Sequence, residues 1–284
     1  MNTSPPRTIL ITGANTGIGA AAAIAMAEPG VNLVLACRSE KKALPVLDEV
    51  RARGAEATFL ELDLMTIAGA AAAGERFAKE HGRLDVLIDN ACIAGQTGLT
   101  NDGFEITFGV NHLGHFAFTL PLLPILEKSG GRIVVVASGN HYKADTIPFD
   151  RLRKQGSGIG MAEYGVSKLA NVLFTAELRR RYPKIGAVSL NPGRIGSDIW
   201  RRVPQPFRAI LMVALRVKPV AFGGSTLVHA ATIPLDEATP LYFDKTMPRD
   251  PNPAALRPDL ATKLWDFSVN ACEAARGGAV GAAA

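Results

Sequence analysis

The stretch TILITGANTGIG, residues 8–19, decides the fold. A short β-branched and apolar run, 8–11, leads directly into a loop with three glycines, and the alanine-rich segment 20–28 that follows favours a helix. Glycines at such a turn let the backbone approach a pyrophosphate, and the first N–H groups of the helix carry partial positive charge. The spacing differs from the usual G-x-G-x-x-G, and an ordinary glycine-rich turn is the alternative. The residues expected at the phosphates are Gly13, Asn15, Thr16, Gly17, Ile18 and Gly19.

The same alternation of apolar runs and helical segments continues along the chain. Further apolar runs are 31–36, 57–62, 86–88, 133–136, 187–190 and the weaker 241–243. Near-continuous apolar strands are typical of a parallel sheet covered on both faces, and their alternation with helices indicates βαβ units. We therefore predict an α/β fold, a single doubly wound parallel sheet of Rossmann type over residues 1–276, with a flexible tail over 277–284.

Composition and charge exclude several classes of protein. The 284 residues are 48% hydrophobic and 20% charged, which provides for a large core and argues against global disorder. Net charge is +5, but the lysines and arginines are scattered, so a nucleic-acid site is not expected. The cysteines and histidines show no metal-ligand spacing, and no apolar run reaches the roughly 20 residues that span a bilayer. We expect a cytoplasmic protein with no metal and no integral membrane segment.

The end of the second strand indicates which dinucleotide would bind. Arg38 stands where folds selective for NAD place an acid for the ribose 2′-hydroxyl, and an arginine there accommodates a 2′-phosphate. A surface arginine at a strand end is the alternative. The position favours NADP(H) as the cofactor. Residues after the third and fourth strands complete this end of the predicted site: Asp63, Leu64, Asn90 and Ala91.

Tyr164 and Lys168 carry the predicted chemistry. They lie four residues apart in a helical pattern that runs to Arg181, which places both side chains on one helical face. A free tyrosine has a pKa of about 10, and a nearby ammonium lowers it, which makes the phenol a usable acid and base. Ser138 closes the fifth run, where it would bond a substrate oxygen or simply cap a loop. Asn111 is polar within an apolar helical stretch, where a satisfied core amide is the alternative.

Taken in order, these motifs resemble the short-chain dehydrogenase/reductases along nearly the whole chain. The segments that carry the resemblance are 12–19, 89–91, Asn111, Ser138, Tyr164 with Lys168, and Asn191-Pro192-Gly193. The resemblance implies that Asn111, Ser138, Tyr164 and Lys168 form a catalytic tetrad. Tyr164 would be the general acid/base and Ser138 would polarise the substrate oxygen. Lys168 would lower the tyrosine pKa and hold the nicotinamide ribose, while Asn111 would support a proton-relay water.

The resemblance also extends to the nicotinamide end and to one branch of the family. Pro192, Gly193, Ile195 and Ser197 match positions that contact the nicotinamide. The segments 13–19, 36–38, 110–116 and 167–174 are similar to the retinol-dehydrogenase-like branch, which implies NADP(H) and apolar alcohols or carbonyls. Cys92 departs from the family pattern, because a glycine usually stands there beside the cofactor.

The sequence thus predicts an NADPH-dependent oxidoreductase that moves hydride between the nicotinamide and a carbonyl or alcohol of an apolar small molecule. An apolar and basic stretch at about 198–222 is predicted to be a C-terminal substrate lid, although its segment 207–222 could lie on a membrane surface instead. The alternative function is a non-catalytic NADP-binding sensor or interaction protein on the same fold. Homo-oligomer formation is left open.

Overall fold

A central β-sheet organises the protein, whose computed structural model describes residues 6–196 and 217–281. Within these residues the sheet has eight strands in the order β3-β2-β1-β4-β5-β6-β7-β8. Strands β1 to β7 are parallel, and β8 pairs antiparallel with β7. The strands are β1 (Arg7–Thr12), β2 (Val31–Cys37), β3 (Glu56–Glu61), β4 (Val86–Asp89), β5 (Arg132–Val136), β6 (Gly186–Asn191), β7 (Tyr242–Asp244) and β8 (Met247–Pro248).

Helices cover both faces of this sheet. They are α1 (Gly17–Ala25), α2 (Glu40–Ala52), α3 (Ile67–Glu80), α4 (Ile106–Phe108), α5 (His115–Thr119), α6 (Leu123–Ser129), α7 (Met161–Arg181), α8 (Val220–Thr232) and α9 (Pro258–Gly281). Alternate strand residues enter different apolar clusters: Ile9 and Ile11 pack with α1, α2 and α8, whereas Leu10 packs with α3, α7 and α9. The predicted doubly wound parallel sheet is confirmed.

The strand order places a crevice at the carboxyl ends of β1 and β4. The chain moves outward from β1 to β2 and β3, and then returns to the other side of β1 with β4. Helices that follow these strands therefore leave on opposite faces. A crevice at such a reversal is where ligands bind in open α/β sheets.

A π-helical turn, Gly109–Gly114, joins α4 to α5 and carries Asn111. Its last residue, Gly114, packs closely against the chain after β3. A Cβ at this position would lie only 2.7 Å from the backbone oxygen of Leu64. π-Turns inside helices are rare and occur often at functional sites. The turn brings Asn111 to the same edge of the sheet as the crevice.

Two predicted segments lie at the limits of the described residues. Helix α9 continues to Gly281, and the flexible tail over 277–284 stays a prediction. Most of the predicted lid at 198–222 falls on residues outside the described part, and its end, Val220–Phe222, forms the first turn of α8. No helix in the described part is long and apolar enough to span a bilayer.

Candidate active site

Thr12, the last residue of β1, ties the glycine loop to the loop after β4. Its Oγ1 accepts hydrogen bonds from the backbone N–H groups of Asn90 and Ala91, both at 2.9 Å. The side-chain amide of Asn90 donates in return to the Thr12 carbonyl at 2.8 Å. These bonds hold the two predicted cofactor loops together at the crevice.

His115 fixes the remaining hydrogen bond of this threonine. The ring Nδ1 lies 3.1 Å from the Asn111 carbonyl oxygen, and the ring Nε2 lies 2.9 Å from Thr12 Oγ1. A carbonyl only accepts, so Nδ1 carries the proton and Nε2 accepts from the threonine hydroxyl. Burial, followed by the charge of Lys168, lowers the pKa of His115 to about 3, so the ring is neutral at physiological pH.

The glycines of the loop make room for close backbone contacts. Gly13 adopts φ +67°, and a Cβ there would lie 2.9 Å from the Cα of Ala91. A Cβ on Gly19 would lie 2.6 Å from Asn90 Nδ2, so Gly19 supports the loop from behind. Helix α1 begins at Gly17, and the free N–H groups of a helix start suit a phosphate.

A cleft of about 810 Å³ opens beside this loop, a size typical of small-molecule sites. It brings together ten of the predicted cofactor residues: Gly13, Asn15, Thr16, Gly17, Ile18, Arg38, Asp63, Leu64, Asn90 and Ala91. It is also lined by residues that sequence reasoning did not single out, among them Ser39, Lys42, Met65, Ile93, Gln96 and Val110. The exposed Cys92 lies in the same cleft.

Arg38 and Lys42 form a basic corner of this cleft at the start of α2. Both side chains are exposed, and neither makes a hydrogen bond or ion pair with the residues that the structure describes. Ser39, the residue before α2, accepts no capping hydrogen bond with its side chain. Two cations, a hydroxyl and a helix N-terminus therefore face one part of the cleft, which suits a phosphate group.

Lys168 lies buried at the end of β5, with 1% of its surface exposed. Its Nζ donates to the Val136 carbonyl at 2.9 Å, and the Asn171 amide donates to the same oxygen at 3.1 Å. Burial lowers the pKa of Lys168. One carbonyl of β5 thus sets the position of the lysine head group.

Tyr164 is 6% exposed, and the Lys168 Nζ lies 5.6 Å from the centroid of its ring. Burial raises the pKa of Tyr164 above its usual value, an electrostatic interaction with Cys92 raises it further, and a hydrogen bond with Ser138 lowers it. The main effect on the phenol is therefore burial, not the lowering expected from Lys168. The effects of these two neighbours place Tyr164, Ser138 and Cys92 close together where the cleft approaches β5.

The Asn111 side chain holds the loop after β4. Its Oδ1 accepts from the backbone N–H of Ile93, and its Nδ2 donates to the Ile93 carbonyl, both at 2.9 Å. The same Nδ2 lies 3.0 Å from the hydroxyl of Ser167, on the helix of Tyr164. The amide is thus satisfied by the protein, and it joins the cleft wall to α7.

The segment after β6 contains the predicted nicotinamide residues. Gly193 adopts φ +93°, and its N–H donates to Asn191 Oδ1 at 3.2 Å. Pro192 precedes it in the same turn. Ile195 is buried and forms a single β-bridge with Lys218. Ser197 lies outside the described residues.

Comparison with known proteins now identifies the family. Residues 7–206 match the family described as short chain dehydrogenase. This chain belongs to the short-chain dehydrogenases. It is 34% identical to retinol dehydrogenase 14 of Homo sapiens, over 92% of this chain and 85% of that protein. The family and the likeness to retinol dehydrogenases, predicted from motifs, are confirmed.

Solved structures agree with this family assignment. A protein from Mycobacterium Paratuberculosis has a TM-score of 0.74 at 31% identity, covering 94% of this chain and 93% of that one. A short-chain dehydrogenase from Sphingobium yanoikuyae in complex with NADPH has a TM-score of 0.61 at 27% identity, covering 78% and 83%. Both similarities extend over most of the two chains.

The site of the present chain contains several buried polar groups that were not predicted from the sequence. His115 follows Asn111 by four residues on a helix, a spacing that could have signalled the pair. His141 follows Ser138 by three residues, but its partner Asn252 lies 111 residues further along the chain. Such long-range contacts leave no local pattern. Among the described residues, no group of three His, Cys, Asp or Glu side chains could hold a metal ion.

Proposed function

We propose that this short-chain dehydrogenase transfers hydride between NADP(H) and a carbonyl or alcohol carbon of an apolar small molecule. The observation that carries the proposal is the meeting of Tyr164, Ser138 and Lys168 at the carboxyl end of β5, beside a cleft with a glycine cradle. A buried acid–base group next to a cleft with a glycine cradle suits hydride transfer coupled to proton transfer.

The cleft fits a dinucleotide that carries a 2′-phosphate. The close approaches at Gly13 and Gly19 keep the loop free of side chains where the pyrophosphate would lie against the start of α1. Arg38, Ser39 and Lys42 would hold the 2′-phosphate, because they offer positive charge and donors that the described residues leave unused. The bound cofactor would supply the hydride in reduction and accept it in oxidation.

Tyr164 is proposed to move the proton. In reduction its phenol gives a proton to the substrate oxygen, while the Ser138 hydroxyl donates a hydrogen bond to that oxygen. The raised pKa of Tyr164 keeps the proton on the residue at physiological pH, so the side chain is ready to act as an acid. Lys168, held by the Val136 carbonyl, would bind the nicotinamide ribose.

An apolar substrate is supported by a relative of this chain. Retinol dehydrogenase 14 is named for an apolar alcohol, and it is similar to this chain over 92% of the residues. We therefore propose an apolar alcohol, ketone or aldehyde as the substrate class.

The cofactor assignment is tested by titrating NADPH and NADH against the wild-type protein, Arg38→Ala and Lys42→Ala, following nicotinamide fluorescence. Lys41→Ala is the matched control, because Lys41 is exposed on the same helix but does not line the cleft. A charge-assisted hydrogen bond to the 2′-phosphate contributes about 1.5–3 kcal/mol, so each loss should weaken NADPH binding by roughly 10-fold to 100-fold and leave NADH unchanged. Equal affinity of the wild type for both cofactors would contradict the NADP assignment.

A further inference from the structure

The turn that follows Ser138 is held by an unusually complete set of hydrogen bonds. Residues Gly139–Lys143 form a 3-10 turn directly after Ser138. The Ser138 carbonyl accepts from the backbone N–H of His141 at 3.0 Å and from the His141 ring at 2.7 Å. The Ser138 hydroxyl oxygen accepts from the N–H of Asn140 at 3.2 Å. Both oxygens of Ser138 are therefore fixed by the turn.

The partners of the His141 ring determine its tautomer. Nε2 accepts from the backbone N–H of Asn252 at 3.1 Å, so the ring proton must sit on Nδ1, which donates it to Ser138. The side chain is completely buried, and burial lowers the pKa of His141. A neutral ring with both nitrogens bonded joins Ser138 to a distant part of the chain.

Asn252 holds the other side of this ring. Its Nδ2 donates to the carbonyls of His141 and Ala144, both at 2.8 Å, and its Oδ1 accepts from the N–H of Ala254 at 2.8 Å. Every polar atom of the side chain is bonded, and the residue is buried. Asn252 therefore fixes the turn at both its middle and its end.

The turn also packs against the helix of Tyr164. A Cβ on Gly165 would lie 3.1 Å from the carbonyl of Asn140, so the turn and α7 touch next to the tyrosine. Any movement of the turn would change the distance between the Ser138 hydroxyl and the Tyr164 phenol. Because the Asn140 N–H occupies one lone pair of the Ser138 oxygen, the hydroxyl hydrogen is directed away from that N–H and can be donated toward Tyr164 or a substrate oxygen.

We propose that His141 and Asn252 are positioning residues that hold the Ser138 hydroxyl in line with Tyr164 and the substrate oxygen. The inference rests on the proposed function of Ser138 and Tyr164. The two residues act through hydrogen bonds to the turn, and neither touches the reacting atoms. The pair, which we call the His141–Asn252 clamp, makes the segment after β8 part of the support for the site.

The main test compares His141→Phe and His141→Asn. Phenylalanine keeps a ring against Tyr142 and Tyr242, whose centroids lie 4.0 Å and 4.7 Å from that of His141, but it removes both hydrogen bonds. Misplacement of catalytic groups by about 1 Å costs up to about 100-fold, so we expect kcat to fall between about 10-fold and 100-fold. The Kd for NADPH should stay within about twofold, a change of about 0.4 kcal/mol, which shows that the fold is retained.

The asparagine variant provides the rescue. Its Nδ2 stands close to where His141 Nδ1 stands and is able to donate to the Ser138 carbonyl, so kcat should recover at least in part. The pH profile of kcat gives a second readout, because loss of the Ser138–Tyr164 hydrogen bond raises the pKa of Tyr164. The alkaline limb of reduction should therefore move to higher pH in His141→Phe and return in His141→Asn. The groups that face the His141 ring are Tyr142, Tyr242 and Arg249.

Asn252→Asp keeps the volume but loses both donors, and it provides an independent variant. Asn252→Asp should lower kcat, as His141→Phe does. The fold-loss of kcat in the double variant should be smaller than the product of the two single fold-losses. Tyr142→Phe is the matched control from the same turn, since among the described residues its hydroxyl bonds only the Asp250 carbonyl, and its kcat should be unchanged.

The outcomes separate this inference from the proposed function. An active wild-type enzyme whose kcat and pH profile survive both His141→Phe and Asn252→Asp would overturn the clamp alone. The clamp would also be overturned if the losses of kcat in His141→Phe and Asn252→Asp simply multiplied in the double variant. A loss of kcat in His141→Phe that accompanies a loss of NADPH binding and is not rescued in His141→Asn would overturn it as well. A wild-type protein that binds NADPH but reduces no carbonyl would contradict the proposed function itself.

Discussion

At the scale of single residues, two neighbours of Tyr164 shift its pKa in opposite directions. An electrostatic interaction with Cys92 raises its pKa, and the hydrogen bond with Ser138 lowers it, on top of a larger increase from burial. Cys92 thus has a physical consequence beyond the space its side chain takes in the cleft. Its presence holds the proton more firmly on Tyr164.

This balance predicts opposite shifts in the pH dependence of reduction. Reduction requires protonated Tyr164, so its rate falls as pH rises through the pKa of that residue. Cys92→Ala removes a group that raises the pKa, and the alkaline limb should move to lower pH; Ser138→Ala removes a group that lowers it, and the limb should move to higher pH. Initial rates of reduction measured across the alkaline range give the alkaline limb for each of the two variants.

Cys272→Ala is the control for this measurement, because Cys272 is buried in α9 and does not act on Tyr164. It should leave the alkaline limb in place. Shifts of the same sign in Cys92→Ala and Ser138→Ala would contradict the assignment of Tyr164 as the proton donor.

At the scale of elements, the loop between β1 and α1 depends on what surrounds its glycines. Gly19 has ordinary helical geometry, yet a Cβ there would lie 2.6 Å from Asn90 Nδ2 and 2.7 Å from the Gly13 carbonyl. Because a backbone oxygen is one of these neighbours, the loop cannot yield without losing its shape. Helix propensity alone would favour alanine at this position.

Gly19→Ala should therefore destabilise both the protein and its cofactor site. Overpacking at a close contact costs about 1–3 kcal/mol, and we expect a loss of this size in the free energy of urea unfolding together with weaker NADPH binding. Gly82→Ala is the matched control, since nothing lies within 4 Å of a Cβ at Gly82. Unchanged stability and NADPH binding in Gly19→Ala would show that the contacts around the loop are not tight.

Some of these elements could be predicted from the sequence and others could not, and the difference has a physical cause. Strands β1 to β6 and the main helices follow from apolar runs that alternate with helical patterns, because a sheet covered on both faces requires them. The π-turn at Gly109–Gly114 has no local signature, since its backbone register depends on contacts of Gly109 with Thr100 and of Gly114 with Leu64.

At the scale of the whole molecule, the site is assembled from segments far apart in sequence. Thr12 ends β1 and Asn90 follows β4, and their positions at the carboxyl ends of two strands were enough to predict that they share one edge of the sheet. The His141–Asn252 clamp was not predictable, because its hydrogen bonds join positions 111 residues apart without a shared motif. The same holds for Trp265 of α9, which packs against Phe116 with ring centroids 5.0 Å apart.

The most direct test of the account is the oxidation of NADPH in the presence of a panel of apolar ketones and aldehydes, with the wild-type protein and Tyr164→Phe. We expect the wild type to reduce members of the panel and kcat to fall by roughly 100-fold to 10,000-fold in Tyr164→Phe, the range of general acid–base catalysis. NADPH binding should persist in the variant. A variant that keeps its activity, or a wild type that binds NADPH and reduces nothing, would contradict the account and favour a sensor on the same fold.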